Sequence, residues 1–356
     1  MSEKSTVTTF TSAFSTVNPA TTCIHPSQIN PDNINLTNIK QTGEDAEFNL
    51  SINQIADEIY NGKEQIVRDW MREILKYPLT TDACLLEENL PKNRYQNILL
   101  YDINRVKIVD HYDKDSTLSD YYHASYIDGY DKKNRYILAQ APFDDNTESD
   151  FWRMVISVHP SMILFLSGDS NDEKDRTRIP QFWPSKGDKR VYGTLTVKTE
   201  DDLCTKDWDT HMLSLFDKRS KTGAKDLSLS FIQYKNWEND NRVPDYILEF
   251  RAYCQLKKAE ADVKKLKGPV LIVCPTGTHR ASFFAAMDII MDRISQEKRV
   301  GVKPTVQIIS KQRYGSFVFF EHYCNLVDII VKHCLASNIV DLHLLVEAQL
   351  KKNTKL

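Results

Sequence analysis

From Ile52 to Leu75 apolar residues return every three or four positions, at Ile55, Ile59, Ile66, Trp70 and Ile74, with a break near Gly62. That period places them on one face, so the segment predicts one or two helices leading into a domain over roughly residues 50–80. Ahead of it, residues 1–45 are rich in Ser, Thr, Asn and Pro with no apolar period. Such a stretch buries too little to offset its ordering entropy and predicts a disordered tail. Further along the pattern becomes short unbroken apolar runs, as in Met162-Ile163-Leu164-Phe165-Leu166 and Pro269-Val270-Leu271-Ile272-Val273. Runs of this length read as buried strands. A helical pattern resumes from Tyr246 to Lys267, with Lys257, Lys258, Lys264, Lys265 and Lys267 as its wet face and Gly268 as its stop, and again from Ala281. Between two strand-like runs, Asp217-Lys218-Arg219-Ser220-Lys221-Thr222-Gly223-Ala224-Lys225 reads as a basic, solvated turn.

At 356 residues, with 41% hydrophobic and 27% charged positions, the chain has enough apolar material for one sizeable core. We assign it to residues 46–346, with a short C-terminal tail over 347–356. The net charge of −3 argues against a nucleic-acid partner. Seven cysteines, an odd number with no CxxC pair, point to a reducing compartment without disulfides or structural zinc. No run is long enough to span a membrane. The expected location is therefore cytoplasmic, with the nucleus open, and neither metal nor cofactor is expected. Oligomeric state is not encoded in any pattern we can read.

The candidate chemistry lies at Val273-Cys274-Pro275-Thr276-Gly277-Thr278-His279-Arg280, between a strand-like run and a helical pattern. In a strand, tight loop and helix start, successive backbone N–H groups form an anion nest, and the helix N-terminus adds positive potential. An arginine six positions after a cysteine can clamp two oxygens of the same tetrahedral anion. The same field favours the thiolate, the nucleophilic form of cysteine.

This loop resembles the signature of the tyrosine-specific protein phosphatases, His-Cys-Ser-x-Gly-x-Gly-Arg-[Ser/Thr]-Gly, and other segments match that family in order. Lys92-Asn93-Arg94-Tyr95 followed by Tyr101-Asp102 and Arg105-Val106 is similar to its substrate-recognition loop, and Asp120-Tyr121-Tyr122-His123-Ala124-Ser125 to its Asp-Tyr-Ile-Asn-Ala-Ser. Tyr136-Ile137-Leu138-Ala139-Gln140-Ala141-Pro142, Asp150-Phe151-Trp152-Arg153-Met154, Gln181-Phe182-Trp183-Pro184 and Trp237 with Val243-Pro244 continue the series. The resemblance covers roughly residues 50–345 and implies an α/β fold, a central, highly twisted mixed sheet flanked by helices on both faces. It also implies a cysteinyl-phosphate mechanism at Cys274, with Arg280 holding the phosphate. Tyr95, Asn97, Thr276, Gly277, Thr278 and His279 would join Arg280 in holding phosphate or substrate.

The departures from that pattern concern catalysis. Val273 replaces the histidine before the cysteine, and Pro275 offers no N–H where the family has a donor. His279 replaces a glycine and Ala281 a hydroxyl residue, with Ser282 adjacent. The family's acid loop reads Trp-Pro-Asp-x-Gly-Val-Pro; here it is Trp237-Glu238-Asn239-Asp240-Asn241-Arg242-Val243-Pro244, one residue longer, with Asn239 at the acid position. Asp240 through a shifted backbone, or Glu238, is left as the acid. In the later loop Val318 and His322 stand where the family's water-positioning glutamines do. The expectation is a catalytically impaired or inactive phosphatase-like protein that binds a phosphotyrosine-containing or kinase-related protein. A slow phosphatase using Asp240, and an interaction scaffold with a vestigial pocket, are the alternatives.

Overall fold

The computed structural model describes residues 79–113, 116–168, 179–220, 227–297 and 299–337. Nine strands form one sheet: β1 (Arg105–Lys107), β2 (Tyr121–Ile127), β3 (Tyr136–Gln140), β4 (Met162–Leu166), β5 (Lys189–Tyr192), β6 (Leu195–Cys204), β7 (Trp208–Asp217), β8 (Leu227–Tyr234) and β9 (Val270–Cys274). Their order is β1-β2-β3-β9-β4-β8-β7-β6-β5. The central strands β3, β9, β4 and β8 run parallel, and antiparallel pairs extend the sheet on either side. The unbroken apolar runs Met162–Leu166 and Val270–Cys274 occupy the middle, where both faces are covered and every position is buried.

Alternation along these strands sorts the core into two layers. Leu138, Met162, Leu164, Leu166, Val270, Ile272 and Cys274 face one layer, which the helices α2 (Ile247–Val263), α3 (His279–Glu297), α4 (Val302–Gln312) and α5 (Phe320–Ala336) complete. Ile137, Ala139, Ile163, Phe165, Leu271 and Val273 face the other, filled by Phe151, Trp152, Met154 and Val155 of α1 (Asp145–Val158). Helices thus lie on both faces, as expected. Val273, the residue in place of the family's histidine, belongs to the second layer and is fully buried in apolar surroundings.

Two boundaries differ from the pattern reading. α2 ends at Val263, not at Gly268, because Lys265 already takes the left-handed conformation at φ 61°. Gly268 has another reason to be small: a Cβ there would lie 1.8 Å from the His159 carbonyl oxygen. The lysine face is also less bare than expected, since Lys258 pairs with Asp292 at 3.2 Å and Lys257 with Glu260 at 2.9 Å. α3 begins at His279, two residues before Ala281, which places Arg280 in its first turn. The expected tail over 1–45, the helices within 52–75, the turn residues 221–225 and the tail over 347–356 lie outside the described residues.

Candidate active site

β9 ends at Cys274 and α3 begins at His279, so Pro275, Thr276, Gly277 and Thr278 make the whole turn between strand and helix. The chain reverses at Gly277, whose N–H donates to the Cys274 carbonyl at 3.1 Å with φ at 68°. No other residue fits there: a Cβ would lie 2.3 Å from the Gln140 nitrogen and 2.5 Å from the Ala139 carbonyl carbon, both backbone atoms of β3. Cys274 and Arg280 are buried at either end of this turn, at 0% and 3% exposure. Thr276 lies between them. Its hydroxyl accepts from the backbone N–H groups of Thr278 and His279, each at 3.2 Å, and lies 3.7 Å from Cys274 Sγ. The Thr278 hydroxyl donates to the same oxygen at 3.1 Å.

A second group closes on the loop from the Trp237–Pro244 segment. Asp240 accepts from Arg280 Nε at 2.5 Å through one carboxylate oxygen and from His279 Nδ1 at 2.8 Å through the other. Partial burial pushes the Asp240 carboxyl up. The His279 hydrogen bond and the Arg280 charge outweigh that and hold it well below the ordinary carboxylate range. An ionised carboxylate can only accept, so His279 Nδ1 carries its proton. Of the three acid positions weighed on sequence, only Asp240 meets the loop. Glu238 and Asn239 are exposed, and the Asn239 side chain accepts from Asn241 N at 2.8 Å, closing a local turn. Trp237 anchors the base of the segment, its ring buried edge-on against Phe283 and its backbone N–H donating to Ser167 O at 3.0 Å.

Beneath the loop lies a residue whose part was not legible in the sequence. Arg313, fully buried, donates from Nε to the Gly277 carbonyl at 2.9 Å, from one Nη to Ser125 Oγ at 3.2 Å and from the other to His123 Nδ1 at 2.9 Å. Burial pulls Arg313 down to about 10, which leaves it charged at neutral pH. Burial and the Arg313 charge push His123 down to about 3, so the ring is neutral. Nδ1 is then the acceptor, and Nε2 carries the proton that goes to the Ile98 carbonyl at 3.0 Å. Gln140 does similar work on the other flank. Its amide accepts from Arg94 N at 3.1 Å and donates to Lys92 O at 2.6 Å, fixing the Lys92–Tyr95 loop to the end of β3. Tyr95 is half-buried there with the Arg94 guanidinium 5.6 Å from its ring centroid, whereas Asn97 is exposed. His123 and Gln140 sit in segments that the resemblance covers, and Arg313 stands ahead of Val318 in the later loop; which carbonyl or ring each reaches is a long-range fact.

The resemblance sets Val318 and His322 at the water-positioning places and Ser282 next to the hydroxyl place. Ser282, beside Ala281, is buried with its hydroxyl 2.6 Å from Ser316 Oγ. Its hydroxyl is thus engaged with the later loop. Val318 is half-buried and has no polar side-chain atom. His322 is buried in a ring cluster, 5.6 Å from His279 and 5.3 Å from Phe319 between centroids, and its Nε2 has no hydrogen-bond partner among the described residues. Burial, assisted by His279, pushes it down to about 4 and keeps it neutral. Among the described residues no group of His, Cys, Asp and Glu is disposed to hold a metal ion, and no helix is long and apolar enough to cross a membrane.

The family model of the protein-tyrosine phosphatases matches residues 89–332, which takes in the Lys92–Tyr95 loop, the Cys274–Arg280 turn and Arg313. Receptor-type tyrosine-protein phosphatase S of Gallus gallus is 30% identical over 253 residues, covering 71% of this chain and 16% of that protein. Receptor-type tyrosine-protein phosphatase zeta of Rattus norvegicus is 29% identical over 273 residues, 75% of this chain and 12% of that protein. Receptor-type tyrosine-protein phosphatase F of Danio rerio is 29% identical over 300 residues, 82% of this chain and 15% of that protein. The chain therefore spans less than a fifth of the length of these relatives. With that match and the cysteine-to-arginine turn seated between a central strand and a buried helix start, the chain belongs to the protein-tyrosine phosphatase family.

Proposed function

We propose that this chain is a phosphotyrosine-binding, catalytically impaired phosphatase, and that its partner is a phosphotyrosine-bearing protein segment, a kinase-related protein included, met in the cytoplasm. Binding is supported by the turn itself: Gly277 in the left-handed conformation, Arg280 buried in the first turn of α3, and Arg313 holding the Gly277 carbonyl from below. An arginine clamp and a helix start favour a dianion. The half-buried Tyr95 supplies an apolar wall for a ring. Tyrosine phosphorylation as the substrate class comes from the family and from the names of the relatives.

The observation that carries the impairment is the state of Asp240. A general acid must hold a proton at working pH, and Asp240 is kept ionised by Arg280 and His279. Pro275 removes one backbone donor, and Val318 brings no polar group to the water-positioning place. Loss of an oxyanion donor costs about 10²–10³ in rate and loss of a positioned acid about 10²–10⁴. A slow phosphatase through Cys274 is the second reading, favoured by Cys274 and Arg280 standing at the two ends of the turn.

One experiment separates them, phosphate release and calorimetric binding measured on the same phosphotyrosine peptide and its unphosphorylated form. We expect release at least about 10³-fold slower than from an intact family member, and binding selective for the phosphorylated form. Arg280→Lys should weaken that binding by about 1–3 kcal/mol while Cys274→Ser leaves it unchanged. Release within tenfold of an intact enzyme and abolished by Cys274→Ser would establish the second reading. Equal affinity for both peptides would remove the pocket from the function altogether.

A further inference from the structure

Several donors of the turn that would hold a phosphate already have acceptors. The Thr276 hydroxyl takes the backbone N–H groups of Thr278 and His279 together with the Thr278 hydroxyl, all within 3.2 Å. Asp240 takes Arg280 Nε, and Leu166 O stands 3.5 Å from one Nη. A planar guanidinium grips an oxyanion through two adjacent N–H groups, and the edge that includes Nε is closed while Asp240 is in place. The two acceptors converge on one helix start, since His279 gives its backbone N–H to Thr276 and its ring N–H to Asp240, and the adjoining Arg280 gives Nε–H to Asp240. Asp240 is about a third exposed, at 31%, whereas Arg280 is 3% exposed. The carboxylate therefore has a path outward that the arginine lacks.

We propose that Thr276 and Asp240 are built-in ligands of the anion pocket, and that an incoming phosphate binds only by displacing them. This rests on the phosphotyrosine-binding reading above and adds the device that sets its affinity. An empty nest would leave N–H groups of the turn without acceptors, which is costly away from water. The hydroxyl and the carboxylate satisfy those groups from within the chain. The observed affinity for phosphate is then the intrinsic affinity multiplied by the fraction of molecules whose latch is open. Asp240 has two consequences here: it stabilises the loop when no ligand is bound, and it competes with the ligand for Arg280.

The test is calorimetric titration of one phosphotyrosine peptide into the wild type, Thr276→Ala, Asp240→Asn, the double variant, and Asp245→Asn as a charge control on the exposed far end of the same segment. Removing the Thr276 hydroxyl or the Asp240 charge should tighten binding by about tenfold, and removing both should tighten it further, while Asp245→Asn leaves it unchanged. Thr276→Ala deletes a small side chain from the turn and decides the matter alone if Asp240→Asn does not fold, which the melting curve will show. Wild-type binding that Arg280→Lys weakens but Thr276→Ala and Asp240→Asn fail to tighten overturns the latch and leaves the binding function standing. Tightening by Asp245→Asn equal to that by Asp240→Asn overturns it too, since net charge would then suffice. No binding of the phosphopeptide by any variant overturns both.

Discussion

The floor of the pocket and its rim differ in how their polar groups are used. On the floor, Arg313 ties the Gly277 carbonyl to Ser125 and His123, and Gln140 ties the Lys92–Tyr95 loop to β3, so each buried donor finds an acceptor at normal distance. These contacts hold a shape. At the rim, Asp240 meets His279 beside the turn, and Val318 and His322 stand where the resemblance sets the water-positioning residues. There the polar atoms point at one another or, in the case of His322 Nε2, at no described partner. On the proposed reading, binding geometry and hydrolytic chemistry are carried by separate side chains, and one set can drift while the fold keeps the other.

The floor is where single changes should cost most. Gly277→Ala forces a methyl group into the backbone of β3 at 2.3 Å and demands φ 68° of an L-residue. A central strand hydrogen-bonded on both sides has no room to retreat, so we expect a loss of about 3–5 kcal/mol in stability, read from urea unfolding, together with loss of phosphopeptide binding. A loss below 1 kcal/mol would mean that the turn is far softer than its contacts imply.

Acid should act on both regions through buried histidines. His123 and His322 are pushed down to about 3 and about 4 from an ordinary 6.5, so each is neutral when folded yet takes up a proton when unfolded below pH 6.5. The unfolded state then binds more protons, and stability is complete above pH 6.5 and falls as the pH drops towards 4. Each histidine contributes up to about 1.4 kcal/mol per pH unit in that window. Asp240 adds the same sign only below the ordinary aspartate value of 3.8. His123→Asn keeps an acceptor for Arg313 and should flatten the melting-temperature profile between pH 7 and 5. A wild-type profile that is already flat would contradict the buried, neutral assignment.

The smallest effect is expected at the acid position itself. Asn239 is exposed and engaged in its own turn. Asn239→Asp should change stability by less than about 0.5 kcal/mol and restore no measurable phosphate release, because an aspartate can also make that turn and would still face solvent. Restored release from this single change would show that the segment swings further than the Asp240 contacts suggest.

Much of the frame was legible from residue order. The unbroken apolar runs Met162–Leu166 and Val270–Cys274 could only be buried on both faces, so their places in the central sheet followed from pattern. The turn after Cys274 was legible because strand, glycine, arginine and helix come in sequence and act locally. The end of α2 was misread, since Gly268 is small for the sake of the His159 carbonyl and not to stop a helix.

What only the tertiary structure decided is which partners distant residues choose. The sequence narrowed the acid to Asp240 or Glu238. It took the approach of Trp237–Pro244 to α3 to show that Asp240 meets Arg280 and His279, 40 and 39 positions away. Arg313 lies 190 positions from His123, and no periodicity links them. Local order fixes backbone conformation through sterics and burial, whereas hydrogen bonds and charge pairs form between whichever groups the packed elements bring within about 3 Å. That is why the family, the sheet and the turn after Cys274 were legible in the sequence, and why the contacts that Thr276 and Asp240 make there emerged only from the folded arrangement.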